Sequence, residues 1–452
     1  MKITAFFRVC KLILLMSGVV LSSIAMPLEG VRGYDMAVSA AFSVKLDRFL
    51  NEIRDVQQEG RLDGEILVAK GGKVLLHLQS KDIESLGKAG EPQFMIGSLS
   101  KQFFAVALLK ALYDTSSGIT EDEKIADVKR QLYVPISHFL PAEAPVWSGE
   151  MPAWANVVTL HQLLNHTSGI PNHTDTDGFG FNNIKEPGEK FFESPREVSQ
   201  IVHLVSKEGL EFTPGTKFAY CNTGYVLIAE VIETLVKMPS ARYVEEVIFK
   251  PLGLHSTVNP EIGNWHALRK VENLFRLVPE QMYDPTGVRK GSYAPEYYID
   301  MANAIGAGSI ISTASDLLKW NLALHKKQSV LPKPLYELLM TPNLDEYAYG
   351  IGVCTSKQDT GLMFVHTGLI DTYNTNLFYL PEEDLSIIML SNTACDWNKV
   401  DKEIDRMMIK LEKAIPDWKE REKVCLEKME KKYQNRRGIN AINELLCNFL
   451  GF

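Results

Sequence analysis

Apolar runs typical of strands lie near both ends of the chain. Two leucine- and valine-rich stretches within residues 65–79 flank Gly71-Gly72, a dipeptide that supplies the positive φ angles of a tight hairpin turn. Three more strands are predicted late in the chain, at 363–367, 374–380 and 385–390. The last two are joined through a turn-forming cluster that begins at Pro381. These patterns predict a sheet built from both ends of the chain.

Residues with helical apolar spacing fill the region between those strands. Helices are predicted at 101–113, 160–164, 198–205, 224–236 and 314–325. Thr159 and Thr313 precede two of them as N-cap residues. The sequence therefore predicts an α/β (α+β) fold with sheet segments at about 60–97 and 345–395 and a mostly helical insertion at about 98–340.

Composition limits the classes of protein to consider. A chain of 452 residues with 45% apolar and 23% charged residues is long enough for one large domain with an insertion, or for two domains. We assign residues 40–395 to a single large domain. The formal net charge of -8 argues against nucleic-acid binding, which needs a basic face to neutralise phosphates. No nucleic-acid partner is expected.

Both ends of the sequence differ in character from this domain. Three basic residues precede the apolar run 12–24, which ends in the small-residue cluster Ser23-Ile24-Ala25, the order of a secretory signal. Residues 1–26 are predicted to be a cleaved signal peptide, and the protein to be exported, either periplasmic or secreted. The alternative is an uncleaved anchor that keeps the protein beside a membrane. Residues 396–452, rich in Lys and Glu, predict a charged helical extension.

The sequence contains no pattern typical of a metal site. Its six cysteines include no Cys-x-x-Cys pair, and its ten histidines include no His-Glu-x-x-His motif. The nucleophile elbow Gly-x-Ser-x-Gly is also missing. The expectation is therefore metal-free catalysis without a cofactor.

A Ser-x-x-Lys pattern at Ser98 and Lys101 is the first catalytic candidate, because residues three apart lie on one face of a helix. A lysine one turn after a serine can accept the hydroxyl proton if burial drives off its own. The same spacing recurs at Ser85 and Lys88, inside a glycine-containing loop. Ser98 is preferred because it opens a strongly apolar helix, whose N-terminus has free N–H groups and a favourable dipole.

Tyr220 and Asn222 form a second candidate motif directly before a predicted helix. Tyr220 is a candidate base if a nearby cation such as Lys101 stabilises its phenolate. The Asn222 amide can hold a substrate carbonyl or orient the lysine.

The third candidate is His366-Thr367-Gly368 on the first of the late strands. A glycine at that place lets a ligand backbone approach closely. Taken by itself, the motif favours an ordinary strand end with a half-buried histidine.

Together and in this order, the three motifs resemble those of the serine β-lactamase and penicillin-binding-protein superfamily, in particular its class C β-lactamase-like branch. The resemblance spans about residues 46–392 and rests on the segments FMIGSLSKQF (94–103), LLNHTSGIP (163–171), FAYCNTGY (218–225) and AGSIISTASD (307–316). It implies a β-lactamase/transpeptidase-like fold, an antiparallel sheet flanked by helices. It also implies a serine hydrolase that forms an acyl-enzyme on an ester, amide or D-amino-acid peptide, as carboxypeptidases and esterases of this branch do.

The resemblance implies roles for individual residues. Ser98 would be the nucleophile, and Lys101 and Tyr220 would transfer the proton. The backbone N–H groups of Ser98 and Leu369 would form the oxyanion hole. The substrate-binding positions would be Asn222, His366, Thr367, Gly368 and Leu369. The loop that starts at His166 would be structural, without a catalytic role.

Two positions depart from the family pattern. His366 stands where β-lactamases and carboxypeptidases carry a lysine, whose permanent charge can hold a substrate carboxylate. Ester or amide substrates are therefore favoured over penicillins. Cys221 stands where the family most often has serine, and we expect it to be tolerated.

The sequence thus predicts a serine hydrolase acting on a small-molecule or peptidoglycan-type substrate. The alternative is a non-catalytic protein that uses the same fold for binding or as a scaffold.

Overall fold

The computed structural model describes residues 64–79, 91–174, 198–207, 209–259, 304–343, 347–355, 362–370, 373–381 and 383–391. Apart from Thr355 and Leu362, these residues belong to one compact unit. The predicted signal peptide, the second Ser-x-x-Lys pattern at Ser85 and Lys88, and the C-terminal extension lie outside the described residues.

A six-stranded sheet is built from both ends of this unit. Its strand order is β2-β1-β8-β7-β6-β5, and the pairs β1–β2, β1–β8, β6–β7 and β7–β8 are antiparallel. The strands are β1 (Glu65–Lys70), β2 (Lys73–Gln79), β5 (Gly352–Thr355), β6 (Leu362–Ile370), β7 (Tyr373–Leu380) and β8 (Leu385–Ser391). A small second sheet pairs β3 (Phe94–Met95) with β4 (Ile311–Ser312).

The predicted hairpins are confirmed. Gly71 and Gly72 have φ angles of 63° and 83° in the turn between β1 and β2, conformations that glycine adopts without steric cost. The backbone N–H of Asp384 donates to the carbonyl of Pro381 (3.2 Å) in the turn between β7 and β8. Because β1 pairs with β8 along its length, the first and last described strands lie side by side.

Between β3 and β5, the described residues form helices and one short strand, β4. The helices are α1 (Ser100–Asp114), α2 (Glu121–Gln131), α3 (Leu160–Leu164), α4 (Val198–Ser206), α5 (Asn222–Val236), α6 (Ser240–Val244), α7 (Lys250–Leu252), α8 (Ala314–Asn321) and α9 (Lys333–Leu339). The Thr159 and Thr313 side chains cap α3 and α8 as predicted, each accepting a backbone N–H three residues later. The helix predicted at 314–325 ends earlier, at Asn321, and the chain continues in a wider π-helical turn over Leu322–Lys326.

The helix α1 forms the centre of the core. Its residues are buried on every side as far as Leu109, which explains why its sequence is apolar without a polar face. Phe103 stacks on Trp320 with ring centroids 4.1 Å apart, and its edge meets Phe249 at 5.8 Å. A helix held in this way gives its first turn a fixed position. Within the described ranges, no helix is long and apolar enough to cross a membrane.

Candidate active site

Ser98 lies in a 3₁₀ turn, Gly97–Leu99, that leads directly into α1. Gly97 has a φ angle of 52°, and a Cβ there would lie 2.9 Å from the backbone nitrogen of Leu369. A Cβ on Gly368 would lie 2.0 Å from the carbonyl oxygen of Ile96. Both positions therefore require glycine, and the nucleophile turn lies against β6 backbone to backbone. This contact brings the backbone segments of Ser98 and Leu369 together, as an oxyanion hole requires.

The side chain of Lys101 has three polar neighbours. Its Nζ lies 3.1 Å from Ser98 Oγ and donates to Asn222 Oδ1 at 2.7 Å. It also donates to the carbonyl oxygen of Ala307 at 2.7 Å. The residue is completely buried. The serine and the lysine thus meet as their spacing on the helix predicts.

These neighbours determine what Lys101 can do. Burial moves its pKa well below the ordinary value of 10.5, because a desolvated ammonium is unfavourable. The Asn222 and Ala307 oxygens can only accept hydrogen bonds, so they take the two N–H bonds of a neutral amine. The lone pair then faces Ser98 Oγ, which can donate its proton to it. The geometry is that of a base aimed at a nucleophile.

Tyr220 contacts both members of this pair. Lys101 Nζ lies 4.9 Å from the centroid of the Tyr220 ring, and the Ser98 side chain interacts with the Tyr220 hydroxyl. Although the residue is partly exposed, desolvation raises the pKa of Tyr220 above its ordinary value of 10. The neutral phenol is therefore the resting form. The raised pKa argues against Tyr220 as a phenolate base, which was one interpretation of the sequence. It favours Tyr220 as a phenol that donates a proton.

Asn222 orients the lysine. Its Oδ1 accepts from Lys101, and its Nδ2 donates to Thr174 Oγ1 at 3.1 Å. Its backbone N–H donates to Asn172 Oδ1 at 2.9 Å. Because Asn222 is also the first residue of α5, these bonds connect the start of that helix to Lys101.

His366 is buried and has partners on both ring nitrogens. Its Nδ1 lies 2.6 Å from the carbonyl oxygen of Thr367, and its Nε2 lies 2.5 Å from the Tyr347 hydroxyl. Since a carbonyl only accepts, Nδ1 carries the proton and the Tyr347 hydroxyl donates to Nε2. Burial lowers the pKa of His366 to about 3. The imidazole is therefore neutral near pH 7 and offers no charge to a substrate carboxylate.

The end of β6 forms the open side of the site. Thr367 is nearly buried, whereas Leu369 is 45% exposed. Thr375 on β7 donates to the Ile96 carbonyl at 2.9 Å and so ties this part of the sheet to the nucleophile turn. The exposed part of this end of β6 is therefore apolar.

The structure brings together the residues that the sequence singled out at the start of α1 (Ser98 and Lys101), at the start of α5 (Tyr220 and Asn222) and on β6 (His366 to Leu369). Three further contributors were missed: the Ala307 carbonyl, the Thr174 hydroxyl and the Tyr347 hydroxyl. The segment containing Ala307 was noted as part of the resemblance, but a backbone carbonyl has no signature in side-chain sequence. Tyr347 belongs to no motif. Among the described residues, no cluster of His, Cys, Asp and Glu is arranged to hold a metal ion.

An antiparallel sheet and a buried helix with Ser98 in the turn before it and Lys101 in its first turn are the features expected of a serine hydrolase-type protein from the sequence motifs. The model of the Beta-lactamase family matches residues 47–406, and the chain belongs to this family. The resemblance and the fold class predicted from the sequence are thereby confirmed.

Individual relatives are distant. Penicillin-binding protein 4* of Bacillus subtilis (strain 168) is 26% identical over 356 residues, covering 74% of this chain and 69% of that protein. Protein flp of Staphylococcus aureus (strain NCTC 8325 / PS 47) is 23% identical over 347 residues; this chain spans 60% of its length, and the match covers 74% of this chain. The solved structure of a D-stereospecific amidohydrolase from Streptomyces sp. has a TM-score of 0.57 and 21% identity, covering 77% of this chain and 95% of that one. That likeness concerns the fold alone.

Proposed function

We propose that this protein is a serine hydrolase that forms a covalent acyl-enzyme at Ser98 on an ester, amide or D-amino-acid peptide substrate. The observation that carries the proposal is the arrangement around Lys101, whose two carbonyl acceptors leave its lone pair facing Ser98 Oγ. Membership of the Beta-lactamase family supports a serine hydrolase-type activity in general, and the substrate class rests on the site geometry.

Acylation begins when Ser98 Oγ attacks the substrate carbonyl carbon and its proton passes to Lys101 Nζ. The carbonyl oxygen becomes an oxyanion between the backbone N–H groups of Ser98 and Leu369. The bond from the carbonyl carbon to the leaving oxygen or nitrogen then breaks. The Tyr220 hydroxyl gives its proton to the leaving group, and the proton held by Lys101 restores the phenol. The net products are the acyl-serine ester and the neutral alcohol or amine.

Deacylation repeats these steps with water as the nucleophile. Water gives one proton to the base and bonds to the acyl carbon, and the bond to Ser98 Oγ breaks. Ser98 recovers a proton, and the carboxylic acid leaves. Fixed donors at the oxyanion supply a large part of the rate in such sites, and removal of one costs about 10²–10³ in kcat in a well-studied hydrolase.

The neutral His366 indicates which acyl donors fit best. A substrate with a carboxylate near the scissile bond finds no cation at this position, because both ring nitrogens are bonded within the protein. The partly exposed Leu369 side chain is apolar. The proposal therefore favours uncharged acyl groups over carboxylate-bearing substrates such as penicillins.

A matched substrate panel tests this function on the full-length protein. It contains p-nitrophenyl butyrate, its carboxylate analogue p-nitrophenyl hydrogen glutarate, a D-amino-acid amide and a chromogenic β-lactam. We expect turnover of the butyrate to exceed that of the glutarate, and Ser98→Ala to abolish both while its thermal unfolding stays like wild type. Equal activity in wild type and Ser98→Ala, or no turnover of any substrate by folded protein, contradicts the proposal and favours a binding protein.

A further inference from the structure

His166 lies directly behind Tyr220, in the loop between α3 and the segment that the structure does not describe. It is completely buried and has a φ angle of 59°, in the left-handed region that non-glycine residues rarely adopt. Such a conformation persists only where the surroundings fix it, and it is found most often at functional sites.

His166 makes three contacts around Tyr220: one with the residue before it, one with the residue after it and one with its ring. The carbonyl oxygen of His166 accepts the backbone N–H of Ala219 at 2.9 Å. Its Nδ1 accepts the backbone N–H of Cys221 at 3.0 Å. Its ring lies against the Tyr220 ring, with centroids 4.3 Å apart and a tilt of 32°. One residue therefore holds both neighbours of Tyr220 and one face of its ring.

The protonation state of His166 is set by these bonds. A backbone N–H can only donate, so Nδ1 carries no proton and the neutral ring has its hydrogen on Nε2. Burial moves the pKa of His166 well below its ordinary value of 6.5. Within the described part of the chain, Nε2 has no hydrogen-bond partner. An acceptor at Nδ1 that persists at all physiological pH values suits a structural anchor better than a proton carrier.

The position of Tyr220 depends on such an anchor. Residues 209–221 form no helix or strand, so no regular backbone ladder fixes the residue before α5 begins at Asn222. The hydroxyl of Tyr220 must nevertheless stay beside the Ser98 side chain, with which it interacts. Displacement of a reacting group by about 1 Å can cost a factor of about 100 in rate.

We infer that His166 is a positioning residue that holds Tyr220 in place to protonate the leaving group, through the bond from Cys221 N–H to its Nδ1. The inference rests on the proposed function at Ser98. It assigns a role in the reaction to a loop that the sequence alone presents as purely structural.

The dependence of kcat/KM on the leaving group distinguishes a positioning role from a general loss of stability, which lowers the activity on all esters alike. An ethyl ester releases a strongly basic alkoxide and needs the proton from Tyr220, whereas a p-nitrophenyl ester releases a weakly basic phenolate and does not. We expect Tyr220→Phe to lower the ethyl-to-nitrophenyl ratio of kcat/KM about 100-fold, within the range for general acid catalysis. The same ratio then measures how well each His166 variant positions the tyrosine.

Three variants separate the acceptor atom from the ring. His166→Asn keeps an acceptor near the place of Nδ1 and tolerates the left-handed backbone, while His166→Gln moves the acceptor and His166→Phe keeps a ring without one. We expect Gln and Phe to lower the ratio about 10-fold, mainly through kcat, and Asn to restore most of it. His161→Gln is the matched control, because His161 is a half-buried histidine on α3 whose side chain bonds to Tyr349 and Asn165 rather than to residues 219–221.

A double-mutant cycle completes the test. In a Tyr220→Phe background, His166→Gln should lower the ratio no further, because the group that it positions is absent. An unchanged ratio in whichever of His166→Gln and His166→Phe folds overturns the inference. If neither variant folds, the ratio in His166→Asn decides. A 10-fold lower ratio overturns the inference, and a wild-type ratio supports it. Activity that survives Ser98→Ala contradicts the proposed function instead, so the two failures are distinguishable.

Discussion

Lys101 on α1 and His366 on β6 are two buried nitrogen bases of the same site, and their surroundings give them opposite properties. Burial lowers the pKa of both groups. The lysine, on α1, faces two carbonyl oxygens and the hydroxyl of Ser98. The histidine, on β6, faces one carbonyl and the hydroxyl of Tyr347. One lone pair is aimed at a nucleophile, and the other is occupied within the protein.

The difference shows that burial alone does not make a catalytic base. Desolvation removes the charge from both side chains, but the partners decide where the remaining lone pair points. On the helix side of the site, at Lys101, the partners leave the lone pair free to accept the proton of Ser98. On the sheet side of the site, at His366, the partners occupy both ring nitrogens. The residue at the position that could bind a carboxylate is therefore neutral and bonded within the protein.

The largest expected effect comes from removing the base on the helix side. Lys101→Met should lower kcat/KM for p-nitrophenyl butyrate by about 10²–10⁴, the usual contribution of general acid–base catalysis. Lys101→Arg should be similarly impaired, because a guanidinium does not lose its proton near neutral pH. Stopped-flow kinetics on folded variants measures both. An Arg variant close to wild type would mean that Lys101 acts only through its charge.

The pH dependence follows from the same pKa. Activity requires the neutral amine, so kcat/KM should fall as pH falls through the lowered pKa of Lys101 and level off above it. The inflection belongs well below the ordinary lysine value of 10.5. His366, with a pKa of about 3, should add no inflection near neutral pH. A profile that levels off only at the ordinary lysine value contradicts this assignment.

A change on the sheet side should alter selectivity rather than chemistry. His366→Lys introduces an amine that a bound carboxylate keeps protonated, so the glutarate-to-butyrate ratio of kcat/KM should rise about 10-fold, equivalent to about 1.4 kcal/mol. The paired esters measure this ratio in the same assay, with His366→Gln as the uncharged control. A rise of equal size in the Gln variant would show that shape, and not charge, excludes the carboxylate.

The smallest effect on activity is expected from Tyr347→Phe. Removal of this hydroxyl leaves His366 Nε2 buried without its donor, which costs about 1–3 kcal/mol of unfolding free energy. Turnover of the uncharged butyrate should change little, because the helix side is untouched. Denaturant unfolding and ester kinetics on one sample separate the two quantities. A large loss of turnover without a loss of stability would place Tyr347 in the reaction.

The arrangement on the helix side of the site could largely be predicted from the sequence. The spacing of Ser98 and Lys101 on an apolar helix predicts that they meet, because helix geometry is local. The hairpin at Gly71-Gly72 and the strands on both sides of Pro381 were also correctly predicted, since turn residues and apolar runs act over short distances.

The sheet side could not be predicted in the same way. Whether His366 is charged depends on the Tyr347 hydroxyl, and the anchor of Tyr220 depends on His166, 54 residues earlier in the chain. Such contacts arise only when the chain folds, and no local pattern encodes them. Export through an N-terminal signal and the role of the C-terminal extension stay predictions.

The most direct test of the central claim is the location of the acyl group. The protein is mixed with excess p-nitrophenyl butyrate, quenched in acid within the first turnovers, digested and analysed by mass spectrometry. The account predicts one butyryl group on the peptide that contains Ser98, and none in Ser98→Ala. A butyryl group on another residue with Ser98 unmodified, or turnover that persists in Ser98→Ala, would contradict it.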